Sequence, residues 1–516
     1  MEDIYLSADK FFSKCSPFGL TFDDVSLVTR YSELLPREVG LDTKLTEDIK
    51  LSIPIISSDM DTVTEAEMAT AMALSGGIGI IHYNMSPKQQ VKELTRVKYH
   101  VHGLIQDPIT IAADEYVGDV LNIINEKNFK FRTFPVVDKI GKLLGLLPGR
   151  VVKERYRQKK VTEVMLQRDQ VYVIRDTEVG KDPILTADKF FSDHIGIHKL
   201  LVVDSNDKLK GLYTLSDIEQ IIDENSDKLK PTRDSSFRLR CGAALNVPRN
   251  DDGKISKNQF IDHVGEMVDK GLDIGAISTA HGHTKSVGEA INILRDAFPS
   301  LPIMAGNVTT PEGVKFLAEA GANSIKIGQG PGSICTTRIV AGVGVPQMTA
   351  LHWASTEKVN HNISIIADGG INKSGDMVKA LTMADAVICG GLLAGCKESP
   401  GRVIEIEGKY YKQYRGMGSL EAMKHGSAAR YGHRKEDLNS KSTPEGIEAL
   451  KEVSSSLKET LEGLAGGIRS GLGYLGAKDL NALRKHARFV RVTPAGQRES
   501  APHDVIQVKS SDFIKF

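Results

Sequence analysis

The chain has 516 residues, with 66 Lys and Arg against 66 Asp and Glu, 41% hydrophobic residues and 26% charged ones. That is too long for one compact core, so two or more domains of an ordinary soluble protein are expected. The charge balance provides no global field for nucleic acid or a membrane surface, and neither is expected as a partner.

Five cysteines (Cys15, Cys241, Cys335, Cys389 and Cys396) are too few and too scattered for a disulfide framework or a C-x-x-C metal site. A reducing compartment suits them. The first thirty residues lack a secretory h-region, and the final Phe-Ile-Lys-Phe is not a peroxisomal address. No apolar run approaches the roughly 20 residues that cross a bilayer. A cytoplasmic location is expected.

In chain order, short apolar runs ending in small or polar residues fall at 53–57, 78–82, 239–245, 273–278, 301–305, 323–328, 363–367 and 385–389. Runs this apolar suit strands buried on both faces of a parallel sheet. Helical patterns lie between them, as at 312–320 and 375–382, giving βα units. Eight units predict a closed (β/α)8 TIM barrel, rather than an open doubly wound sheet, with its site at the carboxyl ends of the strands.

The spacing breaks between the second run and the third. There, P-V-V-D-K-I-G-K-L-L-G-L-L (135–147) matches L-V-V-D-S-N-D-K-L-K-G-L-Y (201–213) at a constant offset of 66. A two-fold repeat of this size predicts a tandem domain over 102–231, inserted in a catalytic barrel made of 1–101 and 232–516. The repeat resembles a pair of cystathionine-β-synthase-type (CBS) modules, a Bateman domain, which implies binding of adenine or guanine nucleotides. By that resemblance Thr214 and Asp217 match the Thr/Ser and Asp that hold a ribose, while Pro148 and Val151 in the first copy do not. A regulatory purine nucleotide is therefore expected in the second copy. For the first copy a purely structural role and nucleotide sensing stay equally open.

After the sixth run comes G-Q-G-P-G-S-I-C-T-T-R (328–338). Gly328, Gly330 and Gly332 permit positive φ and close backbone approach, so the loop folds tightly and presents Cys335 where barrel enzymes keep catalytic groups. A thiolate is a strong nucleophile once cations or backbone donors stabilise it. Cys241, Cys389 and Cys396, within or beside apolar runs, read instead as small buried hydrophobes. The seventh and eighth units carry A-D-G-G-I (367–371) and C-G-G-L-L-A-G (389–395), paired glycines before a helix, as in a barrel phosphate site. Asp368 stands beside them, as a ribose acceptor or a helix N-cap.

These motifs, with M-D-T-V-T-E (60–65), A-G-N-V (305–308) and Y-R-G-M-G-S (414–419), resemble the inosine-5′-monophosphate dehydrogenase family over nearly the whole chain. They resemble the sister guanosine-5′-monophosphate reductases almost as well. The dehydrogenase resemblance implies that Cys335 adds to C2 of the purine, hydride passes to NAD+, and water releases xanthosine monophosphate from a thioimidate. It implies that Thr337 positions water and that Ser333 with Gly390 and Gly391 holds phosphate. Asp368 holds the ribose, and Ser58, Met60, Gly369 and Gly370 complete the substrate set. Tyr414, Gly416, Met417 and Gly418 match the lid, and Arg430 and Tyr431 match the pair on a flap that enters the vacated nicotinamide site. Glu445 matches a substrate contact and alternative proton acceptor, and Ser278, Gly328 and Gly330 fall on the cofactor side. Carbonyls of Gly330, Gly332 and Cys335 match a K+ site completed by a neighbouring subunit's C-terminal segment, here Glu499, Ser500 and Ala501. A homotetramer is implied, with octamers through the CBS pair as the alternative.

Two positions depart from the dehydrogenase pattern. The family keeps an Asp at the end of the fourth strand, facing the cofactor, where this chain has Ser278, with His281 and His283 nearby to compensate. A hydroxyl lacks the carboxylate's charge and second acceptor. Gly391 stands where the dehydrogenases have Ser and is similar to the reductases. The Arg430–Tyr431 pair and the long stretch before Glu445 favour the dehydrogenase. The alternatives are a GMP reductase with a CBS domain, acting with NADPH, and a nucleotide-sensing relative that binds IMP with weak turnover.

Overall fold

The computed structural model describes residues 7–15, 18–100, 103–105, 108–127, 129, 131–180, 182–226, 229–250, 252–431, 443–502 and 504–505. The chain divides into two compact units, one of residues 1–98, 229–232 and 240–516 and the other of 99–228 and 233–239. The boundary expected at residue 101 lies outside the described residues. At the other end the chain touches the first unit at 229–232 before 233–239 rejoin the second.

Eight parallel strands close the first unit into a barrel. They are β1 (Ile55–Ser57), β2 (Ile78–Ile81), β3 (Gly242–Ala244), β4 (Ile274–Ser278), β5 (Ile303–Val308), β6 (Ser324–Ile327), β7 (Ser364–Asp368) and β8 (Ala386–Cys389). Every expected run supplies one. Alternate residues share a strand face, so Ile78 with Ile80, Ile274 with Ala276 and Ala386 with Ile388 fill the interior, joined by Ile56, Met304 and Ile366. A hairpin pairing Thr43–Lys44 with Lys50–Leu51 plugs the amino end. Its Leu45, Ile49 and Leu51 join the same cluster, and Ser324 Oγ donates to the Leu45 carbonyl at 2.6 Å.

The helical ring departs from the expectation at one place. Gly390–Gly391 leads into a short run of turns, closed by Leu393 and Ala394 N–H groups on the Gly390 carbonyl, with no helix following. The buried Lys412 ammonium takes the carbonyls of Cys396, Lys397 and Ser399, ending the turns and fixing the chain's exit. Residues 403–452 then form a three-stranded antiparallel sheet of Val403–Ile406, Lys409–Arg415 and Glu448–Glu452. Only afterwards does Leu457–Tyr474 pack against Ser374–Leu381 and Ala66–Leu74, occupying the eighth helix position. Among the described residues no helix is long and apolar enough to cross a membrane.

The second unit repeats its geometry as it repeats its sequence. Phe134–Val137 pairs with Leu143–Leu147, and Lys199–Val203 with Leu209–Thr214, each hairpin with a register shift, at Val136/Val137 and at Val202/Val203. Asp138 Oδ1 accepts from the Ile140 and Lys142 N–H groups, and Asp204 Oδ1 from those of Asn206 and Lys208. The turns also bond reciprocally: Leu143 N–H to the Asp207 carbonyl at 2.9 Å, Leu209 N–H to the Gly141 carbonyl at 3.0 Å. These pairs obey the 66-residue offset, which makes a pseudo-two-fold axis. The copies diverge after their second strands. Thr214 caps the helix Leu215–Ser226, its Oγ1 accepting from Asp217 N–H at 3.2 Å, whereas Pro148–Val151 forms a tight turn.

At the barrel's amino end Lys98 Nζ reaches Asp273 Oδ2 at 2.8 Å, with side chains 0% and 6% exposed. The same oxygen accepts from Cys241 N–H, and Oδ1 from Arg240. Removing one partner of a buried pair strands the other charge, which costs about 3–5 kcal/mol. Asp273→Ala is expected to lower barrel stability by that amount, read as a reduced urea midpoint. A change below about 1 kcal/mol would show that the pair contributes nothing.

Candidate active site

The carboxyl ends of the strands converge on a buried lysine. Lys326, in β6, places Nζ 2.6 Å from Ser278 Oγ at the end of β4, 3.3 Å from Asp59 Oδ1 just past β1, and 3.6 Å from Asp368 Oδ2 at the end of β7. Its side chain is 1% exposed, so these contacts replace hydration. Asp59 Oδ2 in turn meets Arg430 Nη1 at 3.0 Å. Burial opposes ionisation of Asp59, but Lys326, Arg430 and the Ser278 hydroxyl outweigh it and hold the carboxyl well below its usual range. Burial likewise opposes the charge on Arg430, yet Asp59 keeps its guanidinium protonated beyond the ordinary range. Tyr83 lies against the same pair. Its phenol is pushed up to about 12 by burial, with Arg430 opposing and Asp59 reinforcing.

Above this cluster lies an open cleft. The loop 328–338 forms one wall. Gly328 has φ +143°, and a Cβ there would sit 2.1 Å from the Asp368 carbonyl; Gly330 has φ +78° and faces the Arg338 stem at 2.5 Å. No side chain fits either place, so the glycines fix the close approach of the loop to β7. Cys335 is half-buried, its Sγ 3.2 Å from Thr337 Oγ1.

The lid holds this loop through backbone bonds. Thr336 N–H donates to the Glu445 carbonyl at 3.0 Å, Ile447 N–H to Ile334 at 3.0 Å, and Glu445 N–H to Gly418 at 3.0 Å. Arg415 clamps the lid strand to Asp61 with Nη2 to Oδ2 at 2.6 Å. A Cβ at Gly418 would lie 2.7 Å from Tyr431 Cζ, so this glycine makes room for the Tyr431 ring. Burial pushes the Tyr431 phenol above its usual range, against the pull of Arg430. Opposite, burial raises the Tyr414 phenol although Ser333 hydrogen-bonds it, and Cβ atoms at Gly390 and Gly391 would crowd its Oη at 3.2 and 3.4 Å.

The cleft gathers Ser58, Met60, Gly328, Gly330, Gly332, Ser333, Cys335, Thr337, Asp368, Gly369, Gly370, Gly390, Gly391, Tyr414, Gly416, Met417, Arg430, Tyr431 and Glu445. Ser278 lies beneath it on Lys326, and His281 beside it, its Nδ1 3.2 Å from Gln329 Nε2. Asp368 ends β7 and is not an N-cap, since Lys373 precedes the helix Ser374–Leu381. Glu499, Ser500 and Ala501 end an exposed C-terminal helix and do not line the cleft. Residues 432–442 of the expected flap lie outside the described residues. Thr214 and Asp217 belong to the second unit.

Sequence reasoning missed Asp59, Lys326, Asn307 and Tyr83. Lys326 carried a signal, a lone charge inside an apolar run. Asn307 Nδ2 donates to Asp368 Oδ2 at 2.8 Å and to the Gly328 carbonyl at 2.9 Å, while its buried Oδ1 has no protein partner.

A cysteine on a glycine-bound loop at the carboxyl end of a closed parallel barrel defines the class as a (β/α)8-barrel enzyme with its cleft at that end. The chain belongs to the IMP dehydrogenase / GMP reductase family, whose model matches residues 19–503. It is 45% identical over 491 residues to the inosine-5′-monophosphate dehydrogenase of Halalkalibacterium halodurans, covering 94% of this chain and 96% of the relative. It is 44% identical over 505 residues to that of Bacillus subtilis, covering 97% and 98%. Among solved structures it is similar to a GMP reductase variant from Trypanosoma brucei in complex with guanosine 5′-monophosphate. That match has a TM-score of 0.80 and 33% identity and covers 96% of this chain and 100% of the other.

The Tyr83 phenol supplies a pH test. A neutral phenol favoured in the fold, at about 12 against an ordinary value near 10, costs stability as pH rises through that window, because the unfolded chain ionises first. Between pH 10 and 11 its share of the loss is about 1 kcal/mol. Tyr83→Phe is expected to flatten the urea-stability curve over this range by that amount. Parallel wild-type and variant curves would remove Tyr83 from the account.

Proposed function

We propose that the chain oxidises inosine 5′-monophosphate to xanthosine 5′-monophosphate with NAD+, through a thioimidate at Cys335. One observation carries this reading: Cys335, beside Thr337, shares a cleft with Asp368 and the Gly390–Gly391 turn. Such a cleft seats a nucleoside monophosphate with its ribose on the carboxylate and its phosphate on backbone N–H groups. The curated dehydrogenases at 44–45% identity support the same substrate.

In this reading the Cys335 thiol gives its proton to solvent, its sulfur bonds to C2 of the purine, and the C2–H bond breaks with its electron pair. NAD+, when bound, accepts that hydride. Water positioned by Thr337 then attacks C2, and the C–S bond breaks to return the thiol. The water's proton needs an acceptor. Asp59 holds Arg430 as a cation, so Glu445 is the better base while that pair is intact. K+ would take the carbonyls of Gly330, Gly332 and Cys335; oxygen ligands on a tight loop suit a hard cation. The Gly332 carbonyl already accepts from Cys335 N–H at 3.0 Å and would use its second lone pair. Glu499, Ser500 and Ala501 would complete that shell from a neighbouring copy in a homotetramer.

The inserted unit we read as a CBS pair taking a regulatory purine nucleotide at Thr214 and Asp217, and the protein as cytoplasmic. A second reading, reduction of GMP with NADPH, draws support from Gly391 and from the Trypanosoma brucei reductase. The paired assay separates the two. IMP with NAD+ is expected to yield NADH, faster with potassium present, and Cys335→Ala to lower kcat by at least about 1000-fold. A purified protein that yields no NADH but consumes NADPH with GMP reverses the assignment.

A further inference from the structure

Ser278 stands where the resemblance calls for a carboxylate, and a charge reappears across the barrel mouth, on Asp59 just past β1. Ser278 Oγ touches Lys326 Nζ at 2.6 Å, and Asp59 Oδ1 reaches the same ammonium at 3.3 Å. Side chains at 59 and 278 therefore address one ammonium from adjoining positions. With Arg430 bound to Asp59 Oδ2 and Asp368 at 3.6 Å from Lys326, the buried cluster holds two cations and two carboxylates. Its formal charge is zero. A third carboxylate at 278 would bring like charges together around the buried Lys326 ammonium. The cluster thus has room for one carboxylate at 59 or at 278, and not for both.

We propose that Asp59 is the positioning residue that takes over, on the same Lys326 ammonium, the role of the carboxylate missing from β4. It fixes Lys326 against Asp368 and Arg430 against the cleft, between the lining residues Ser58 and Met60. This inference rests on the dehydrogenase reading. It excludes His281 and His283 as the compensating groups: His281 bonds Gln329 instead, and His283 packs on Phe316 with ring centroids 5.0 Å apart.

The test compares wild type with Asp59→Asn, Ser278→Asp and the double variant Asp59→Asn/Ser278→Asp. Asp59→Asn keeps the shape and removes the charge; its kcat/KM for NAD+ is expected to fall at least tenfold. Ser278→Asp alone, which crowds two carboxylates on Lys326, is expected to lose at least fivefold. The double variant is expected to return to within threefold of wild type, and its melting temperature to recover with it. A smaller loss in either single variant, or a double variant no better than Asp59→Asn, overturns the proposal. If the double variant does not fold, Asp59→Glu decides, since it must regain at least half of what Asp59→Asn loses. Wild type that forms no NADH from IMP and NAD+ fails the dehydrogenase reading instead. The melting temperatures then judge Asp59 alone: without recovery in the double variant, the charge transfer between 59 and 278 is overturned too.

Discussion

The site depends on one buried charge, the Lys326 ammonium at the centre of the barrel mouth. An ammonium removed from water costs several kcal/mol unless carboxylates and hydrogen bonds replace its hydration. That demand draws the ends of β1, β4 and β7 onto β6 through Asp59, Ser278 and Asp368. Asp368 commits Oδ2 to Lys326 and Asn307, and neither contact uses Oδ1. The carboxylate is oriented before any ligand arrives, which lowers the entropy cost of holding one. The ion cluster is a framework first, and its chemistry follows from being rigid.

Cys335 is held by a second device, a backbone ladder. Residues 334–336 bond to 445–447, and Glu445 bonds back to Gly418 beside the lid strand. Cys335 therefore sits between two segments more than a hundred residues apart, and its place is set by the lid as much as by its own loop. Arg415 on Asp61 links the lid to the residues just past β1, where Asp59 also stands. Residues 58–61 thus carry both the clamp on Arg415 and the counter-charge for Lys326 and Arg430.

Much of this was legible in the sequence because buried parallel strands write their burial plainly. All eight apolar runs became barrel strands, and the glycine loop fell where barrel logic put it. The eighth helix was not legible as displaced, because its position is filled by Leu457–Tyr474 from beyond the lid, a long-range packing choice that local pattern does not record. Lys326 was hidden by its surroundings, since an apolar run argues for a strand and draws attention from the one charge within it. Asp59 was hidden differently. Next to Ser58 and Met60 it reads as part of a polar loop, and only the closed barrel reveals that the loop carries the counter-charge for a residue 267 positions away.

The inserted unit shows how far an internal repeat can be trusted. Its reciprocal turn bonds obey the 66-residue offset because each hairpin uses the other as its partner, so the sequence repeat and the pseudo-two-fold axis sustain each other. The apolar cluster of Leu143, Leu146, Leu201, Val203 and Leu212 lies between the hairpins and is drawn from both. Symmetry holds wherever the halves touch and lapses where they do not. Thr214 opens a helix of twelve residues, while Pro148, lacking an N–H and a hydroxyl, begins a turn. Divergence is free at the outer ends of the strands because no partner constrains them. Those ends are therefore where the two halves can differ in what they bind, without loss of the fold that joins them.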